Sequence, residues 1–362
     1  MVRLGDICEI LNGLAFKSEE YCPVGIRVIR ITNVQKGYIV DDDPKFFPAE
    51  RENEIIRFML KKDDLLISLT GNVGRVGILR NSFLPAALNQ RVGCLRNKPI
   101  ILKEYLYWVL NTSKFEYDCI NSANGLAQKN LSTEWLKDYK IPLPPLEEQK
   151  RIAAMLDKVQ SLIDLRKKQI AEIDVLAQSV FLEMFGDPVV NKKDWLKKPL
   201  KALLEAGSSV TYGIVQTGDD VKDGVPVFRP IDIVKGNIPK RNELKRTTQE
   251  ISDKYRRTLL KGYELLITVR GSVGDTFQVS NEFKGCNVAR NIVPLRFNTK
   301  HVIYPFMEHL FKQTSIKDKL AELTKGIALQ GLNMNEFREV SIMVPPLNVQ
   351  SEFAIFIKRI DK

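Results

Sequence analysis

The chain has 362 residues, 44% hydrophobic and 27% charged, the make-up of a globular protein of two or three domains. No window approaches eighteen consecutive apolar residues, and Val2 leads directly into Arg3 and Asp6 without an apolar signal region, so the expectation is a cytoplasmic protein with no membrane partner. A net charge of +11 favours an anionic partner, while five cysteines without C-x-x-C spacing and only two histidines argue against a disulfide framework, a thiolate metal site or zinc chemistry.

In chain order, Gly25 to Arg30 is a short strand-like run entered from a loop. Leu65 to Gly74 reads as a buried strand running into a glycine-bearing turn, and Val76 to Leu79 as a second strand, together a hairpin. Leu88 to Arg96 supplies another strand, Leu102 to Leu110 a helical pattern, and Gly125 to Leu131 a polar loop. Then comes Ile141-Pro142-Leu143-Pro144-Pro145-Leu146-Glu147-Glu148-Gln149. No proline follows until Pro188, which predicts one long helix over Glu147 to Glu183, a rod of roughly 55 Å. Alternate steps of four and three from Ile152 reach Leu156, Val159, Ile163, Arg166, Ile170, Ile173, Ala177 and Val180; only Arg166 is polar, so the helix carries a coiled-coil seam.

The sequence then repeats itself. Gly224 to Arg229 answers Gly25 to Arg30, and Leu265 to Gly274 answers Leu65 to Gly74 with an offset of 200. Thr276 to Val279 is the returning strand, and Val288 to Arg296 matches Leu88 to Arg96, both ending in Leu-Arg. Ile303 to Lys312 and Ser315 to Leu323 are helical, and Gly326 to Leu332 is the second polar loop. Ile342-Met343-Val344-Pro345-Pro346-Leu347-Asn348-Val349-Gln350 repeats the earlier Pro-Pro element at an offset of 201, followed by Phe353, Ile357 and Ile360 on the seam of a helix of about sixteen residues. The expected organisation is a first domain over 1–146, a spacer helix over 147–186, a second domain over 187–346 and a short helix over 347–362. Strands precede helices in each domain, which predicts an α+β class. The four segments carry +3, −1, +8 and +1, so the globular parts, not the rod, attract a polyanion.

Several chemistries are disfavoured. Neither glycine turn is followed by the Gly-Lys-Ser/Thr of a nucleotide loop. The Pro-Pro elements lack the polar and aromatic flanks of an amino-methyltransferase motif, having Leu143 or Val344 before them and Leu146 or Leu347 after. Asp232 with Glu243-Leu244-Lys245 has the letters of a nuclease metal site, but the first copy lacks it; a metal-dependent nuclease is the enzyme alternative, and a coiled-coil scaffold binding proteins through its globular ends is another.

Two diverged α/β segments, each ending in a glycine loop, Ile-x-x-Pro-Pro-Leu-x-x-Gln and a helix, resemble the specificity subunit of type I restriction-modification systems. Glu183-Met184-Phe185-Gly186-Asp187-Pro188 adds to the likeness. The resemblance implies two target-recognition domains that each read half of a split site in double-stranded DNA, and helices that pair antiparallel and set the spacing. It implies docking of two modification (methyltransferase) subunits, with restriction (translocase and endonuclease) subunits completing the complex. It implies no catalytic or metal residue in this chain; S-adenosylmethionine, ATP and Mg are expected on the partners. Tyr105, Trp108, Phe115 and Tyr117 are read as lacking close aromatic counterparts, and the short second helix is the main departure.

Within this reading, base-edge contacts need paired donors and acceptors on exposed loops. The candidates are Lys17, Asn72, Arg75, Gln90, Arg91 and Gln128 in the first domain, and Tyr212, Gln216, Arg270, Ser272, Arg290, Asn291 and Gln330 in the second. The copies differ at these tips, Thr70 facing Arg270 and Gln90 facing Arg290, so they are suited to reading different bases. Partner contacts are expected along Ile152, Leu156, Val159, Ile163, Ile170, Ile173 and Val180.

Overall fold

A computed structural model describes residues 1–123, 129–233, 239–325 and 331–360. The chain divides into two compact units, Met1–Arg166 and Lys167–Lys362.

The first unit is built on a four-stranded antiparallel sheet. Its strands are β1 (Cys8–Asn12), β3 (Leu65–Ser68), β4 (Val76–Ile78) and β6 (Val92–Asn97), in the order β1-β6-β3-β4. The hairpin expected between Leu65 and Leu79 is present, with Leu65 opposite Ile78 and Ile67 opposite Val76. A second sheet pairs β2 (Ile26–Ile29) antiparallel with Phe46–Phe47 and parallel with β5 (Ala86–Leu88). The sequence suggests one strand over Leu88 to Arg96. The structure instead divides it between the two sheets, because the chain turns at Asn89–Arg91, closed by the Val92 N–H donating to the Asn89 carbonyl at 2.9 Å. Two helices follow, α1 (Lys103–Leu110) and α2 (Ser113–Ser122), the second of which the apolar pattern does not reveal. Leu65, Ile67, Leu95, Leu106, Leu110, Phe115 and Ile141 form the core between sheet and helices.

The long helix, α3, runs from Leu146 to Phe185 as forty residues, about 60 Å at ~1.5 Å per residue. It starts directly after Pro144 and Pro145 and ends at Gly186, whose φ of 77° suits a helix terminus better than any side-chain-bearing residue. Lys193 Nζ then donates to the last carbonyls, Glu183 at 2.6 Å and Met184 at 3.0 Å.

In the second unit β8 (Leu265–Thr268) pairs antiparallel with β9 (Thr276–Gln278) and β11 (Ile292–Leu295). Ahead of it in the chain, β7 (Val225–Phe228) pairs parallel with β10 (Asn287–Val288) and antiparallel with Arg246–Thr247. The strand expected over Val288 to Arg296 is likewise split, by the turn at Ala289–Asn291. Helices α4 (Tyr304–Lys312) and α5 (Thr314–Glu322) complete the repeat. At the 201-residue offset Tyr105 corresponds to Phe306, so the reading that Tyr105 lacks an aromatic counterpart is corrected; both side chains are buried beneath their sheets.

The last helix, α6 (Leu347–Ile360), has fourteen described residues. Phe353 lies 5.5 Å from both Phe181 and Phe185, ring to ring, and Ile357 shares their core with Ala177. The short helix thus runs back antiparallel along the end of the long one. Farther along the seam Leu156, Val159, Ile163, Ile170 and Ile173 remain exposed, whereas Ile152 and Val180 are half-buried against the cores of their own units.

Candidate nucleic-acid interface

In each unit backbone hydrogen bonds gather the same four segments. In the first, the Gln90 N–H donates to the Leu14 carbonyl (2.8 Å), Leu69 N–H to the Arg91 carbonyl (2.9 Å), Gly71 N–H to the Lys129 carbonyl (2.9 Å) and Leu131 N–H to the Leu69 carbonyl (2.8 Å). The loop after β1, the hairpin tip, the turn between β5 and β6, and the segment from Lys129 are thereby held side by side. The second unit repeats three of these bonds: Arg290 N–H to the Ile214 carbonyl, Val269 N–H to that of Asn291, and Leu332 N–H to that of Val269, at 2.8 to 2.9 Å. The tips themselves share one frame. Ser68 Oγ donates to the Asn72 carbonyl at 2.6 Å and accepts from Arg75 N–H at 3.0 Å, and Thr268 Oγ1 bonds the Ser272 carbonyl and accepts from Asp275 N–H at 3.0 Å.

Glycine permits the close approach of the first segment. A Cβ on Gly13 would stand 2.3 Å from the Asn89 carbonyl carbon, and one on Gly213 would stand 2.0 Å from the Val288 oxygen.

The candidate residues take different places on this frame. Lys17, Asn72, Gln90 and Arg91 are exposed in the first unit, as are Gln216, Ser272 and Arg290 in the second. Arg75 is half-buried and tied by Nη1 to Gln35 Oε1 at 2.7 Å, so it braces the hairpin rather than projecting from it. Arg270 is half-buried, with its side chain over Gly331 and its backbone bridged to it. Tyr212 donates its hydroxyl to the Leu332 carbonyl at 3.2 Å while its ring stays partly exposed. Asn291 is half-buried, and among the described residues its shielded side-chain oxygen has no hydrogen-bond partner, a costly state for an amide unless another group relieves it. Gln128 and Gln330 lie outside the described residues.

Three features underlying this surface have no signal in composition or periodicity. Arg96 is bidentate to Asp64, with Nε and Nη2 each at 2.9 Å, and Arg296 Nε reaches Glu264 at 2.8 Å; these pairs explain the shared Leu-Arg strand ends. Burial pushes the Glu264 carboxyl up, but the Lys261 N–H, the Arg296 guanidinium and the Tyr263 N–H together hold it below the ordinary glutamate range. The third feature is the glutamine of each Pro-Pro element. Gln149 Oε1 accepts from Leu102 N–H (2.8 Å) while Nε2 donates to the Ile100 (3.2 Å) and Pro144 (2.8 Å) carbonyls. Gln350 Oε1 accepts from Ile303 N–H (3.0 Å), and Nε2 donates to the His301 (3.0 Å) and Pro345 (2.7 Å) carbonyls.

Among the described residues no three His, Cys, Asp or Glu side chains are grouped to hold a metal ion. The suspected nuclease letters are separately engaged: Asp232 bonds the Arg229 backbone and guanidinium, Glu243 lies near Lys240, and Lys245 Nζ donates to the Gly218 carbonyl. Cys8, Cys119 and Cys286 are packed, with burial pushing their thiols up to about 12, 12 and 11. No described helix is long and apolar enough to cross a membrane.

Residues 1–175 and 192–362 each match the family model described as the type I restriction modification DNA specificity domain. The chain is 25% identical to the Type I restriction enzyme EcoBI specificity subunit of Escherichia coli, over 100% of this chain and 78% of that one. It is 26% identical to the putative type I restriction enzyme MjaX specificity subunit of Methanocaldococcus jannaschii, over 99% and 86%. Among solved structures, the S subunit of a type I restriction-modification system from M. genitalium aligns with a TM-score of 0.51 at 16% identity, covering 99% of this chain and 88% of that one, a likeness of fold. With both halves matched and two similarly framed loop surfaces in place, the chain belongs to the type I restriction-modification specificity subunit family.

Proposed function

We propose that the chain reads a two-part site in double-stranded DNA, one half with each unit, and directs methylation and cleavage by partner subunits without catalysing either step. The observation that carries this reading is the duplicated frame: the same backbone bonds hold tips whose polar residues differ, Gln90 and Arg91 in one unit against Arg290 and Asn291 in the other. Donor-acceptor sets of this kind match base edges in the major groove, and surrounding lysines supply phosphate contacts. The modification subunits dock along the apolar seam of α3 and, with the restriction subunits, bring S-adenosylmethionine, ATP and Mg. The long helix acts as a ruler between the half-sites.

Binding by the complex with its modification subunits tests the reading. Affinity is expected to be selective for a two-part duplex site and to fall steeply with salt as phosphate contacts release counterions. Preference for one uninterrupted short motif would overturn it, and binding of proteins but no DNA would favour the scaffold alternative.

A further inference from the structure

We infer that Gln149 and Gln350 are positioning residues that fix the spacer length of the DNA site, an inference that rests on the two-part reading above. Both are fully buried, at 0% exposure, and each makes three side-chain hydrogen bonds to backbone groups. Every partner in the second unit lies 201 residues after its counterpart in the first: Ile100 and His301, Leu102 and Ile303, Pro144 and Pro345. The clasp is thus preserved between copies whose loop tips have diverged.

The chemistry singles out glutamine. One planar group must accept a backbone N–H and donate two hydrogens to two carbonyls; glutamate cannot donate when ionised, lysine cannot accept, and asparagine is one methylene short. The partners also have a mechanical meaning. Two of the three lie in the loop between the strand that leaves the reading turn and the helix that follows it. In the first unit β6 runs from the turn at Asn89–Arg91 to the loop containing Ile100 and Leu102. In the second β11 runs from Ala289–Asn291 towards His301 and Ile303. A single strand therefore has the DNA-reading turn at one end and the glutamine clasp at the other. The clasp in turn holds the first turn of α3 or α6, where the backbone N–H of each glutamine also starts the helix by donating to Pro145 or Pro346, at 3.0 and 3.1 Å. Side-chain amide, helix start and strand end form one rigid joint, so the direction of each helix is transmitted to the reading turn of its own unit.

The test uses the specificity chain assembled with its modification subunits, and duplexes in which both half-sites are kept while the spacer changes one base pair at a time. Gln149→Met and Gln350→Met are expected to leave the bases read in each half unchanged and to broaden the accepted spacers, lowering the preference for the best spacer over its neighbours by roughly tenfold. Gln149→Glu should do the same, and Glu147→Gln, an exposed neighbour on the helix, should leave the profile alone. An assembled Gln→Met complex with the wild-type spacer profile, or one whose affinity falls equally at every spacer, overturns the inference. Should neither variant fold, amide exchange on the wild-type complex decides it: Leu102 and Ile303 N–H are expected to be protected, and rapid exchange at both would remove the clasp. A wild-type complex that recognises one continuous motif would instead sink the two-part reading itself.

Discussion

The bare seam of the long helix gives the free chain a measurable tendency to associate. Relative exposures of 36% at Leu156, 47% at Val159, 43% at Ile163, 61% at Ile170 and 36% at Ile173 leave much apolar surface in water. Full burial of such a side chain stabilises by ~1.5–3 kcal/mol, so scaling by exposure leaves about 3–7 kcal/mol per chain to be gained. Two stripes facing each other double that gain, which exceeds the lower part of the ~4–15 kcal/mol cost of association. With the cost near its lower end of ~4 kcal/mol the net gain is about 3–9 kcal/mol, so self-association is expected with a Kd between roughly the millimolar and the sub-micromolar range. Light scattering or sedimentation of the isolated chain across that range measures it. Raising the salt should not dissolve the assemblies, since apolar burial and not charge drives them. Ile170→Lys with Ile173→Lys keeps good helix formers in place while charging the stripe, and should return the chain to a monomer and weaken capture of the modification subunit. A wild-type chain that stays monomeric throughout would show that the exposed stripe does not drive association.

Arg270→Ala and Arg290→Ala should each relax base preference in only one half of the site by ~1–3 kcal/mol per lost base contact, read from binding to single-base variants; equal loss on all sequences would make them phosphate contacts. Inserting seven residues between Ile163 and Ile170 keeps the seam in register and lengthens the helix by ~10 Å. Mapped sites should then show a spacer longer by about three base pairs, and an unchanged spacer would remove the ruler. Arg296→Met strands the buried Glu264 carboxylate and should cost roughly 3–5 kcal/mol in denaturant unfolding; a loss below about 1 kcal/mol would show that the backbone N–H groups suffice. Because the folded state holds Glu264 below its ordinary pKa of about 4.3, its contribution is complete above that pH and fades as the pH falls through the folded value. Glu264→Gln should accordingly flatten the acid side of the stability curve.

Much of the architecture was legible because it is written twice. The repeats at offsets of 200 and 201, the proline-free run to Pro188 and the four-three seam locate the hairpins, the long helix and the short one. The remaining features escape the sequence for physical reasons. A short apolar run such as Leu88 to Arg96 reads the same whether it is one strand or two joined by a turn, and only the pairing of Leu88 with Ile29 and of Val92 with Ser68 separates the sheets. Gln149 looks like any polar residue near a helix start, since its partners Ile100 and Leu102 are distant in sequence. Loop residues carry no periodicity, so the half-buried Arg75, bonded to Gln35, is not distinguishable from the exposed Arg91 by sequence alone.

The two-part reading of DNA is tested by expressing the chain with its modification and restriction partners and mapping methylated bases across the host genome. It predicts one two-part motif with a fixed spacer, in which exchanging residues 187–346 for those of another specificity chain replaces one half and leaves the other intact. Methylation at a single uninterrupted motif, or a change in both halves after the exchange, would contradict it.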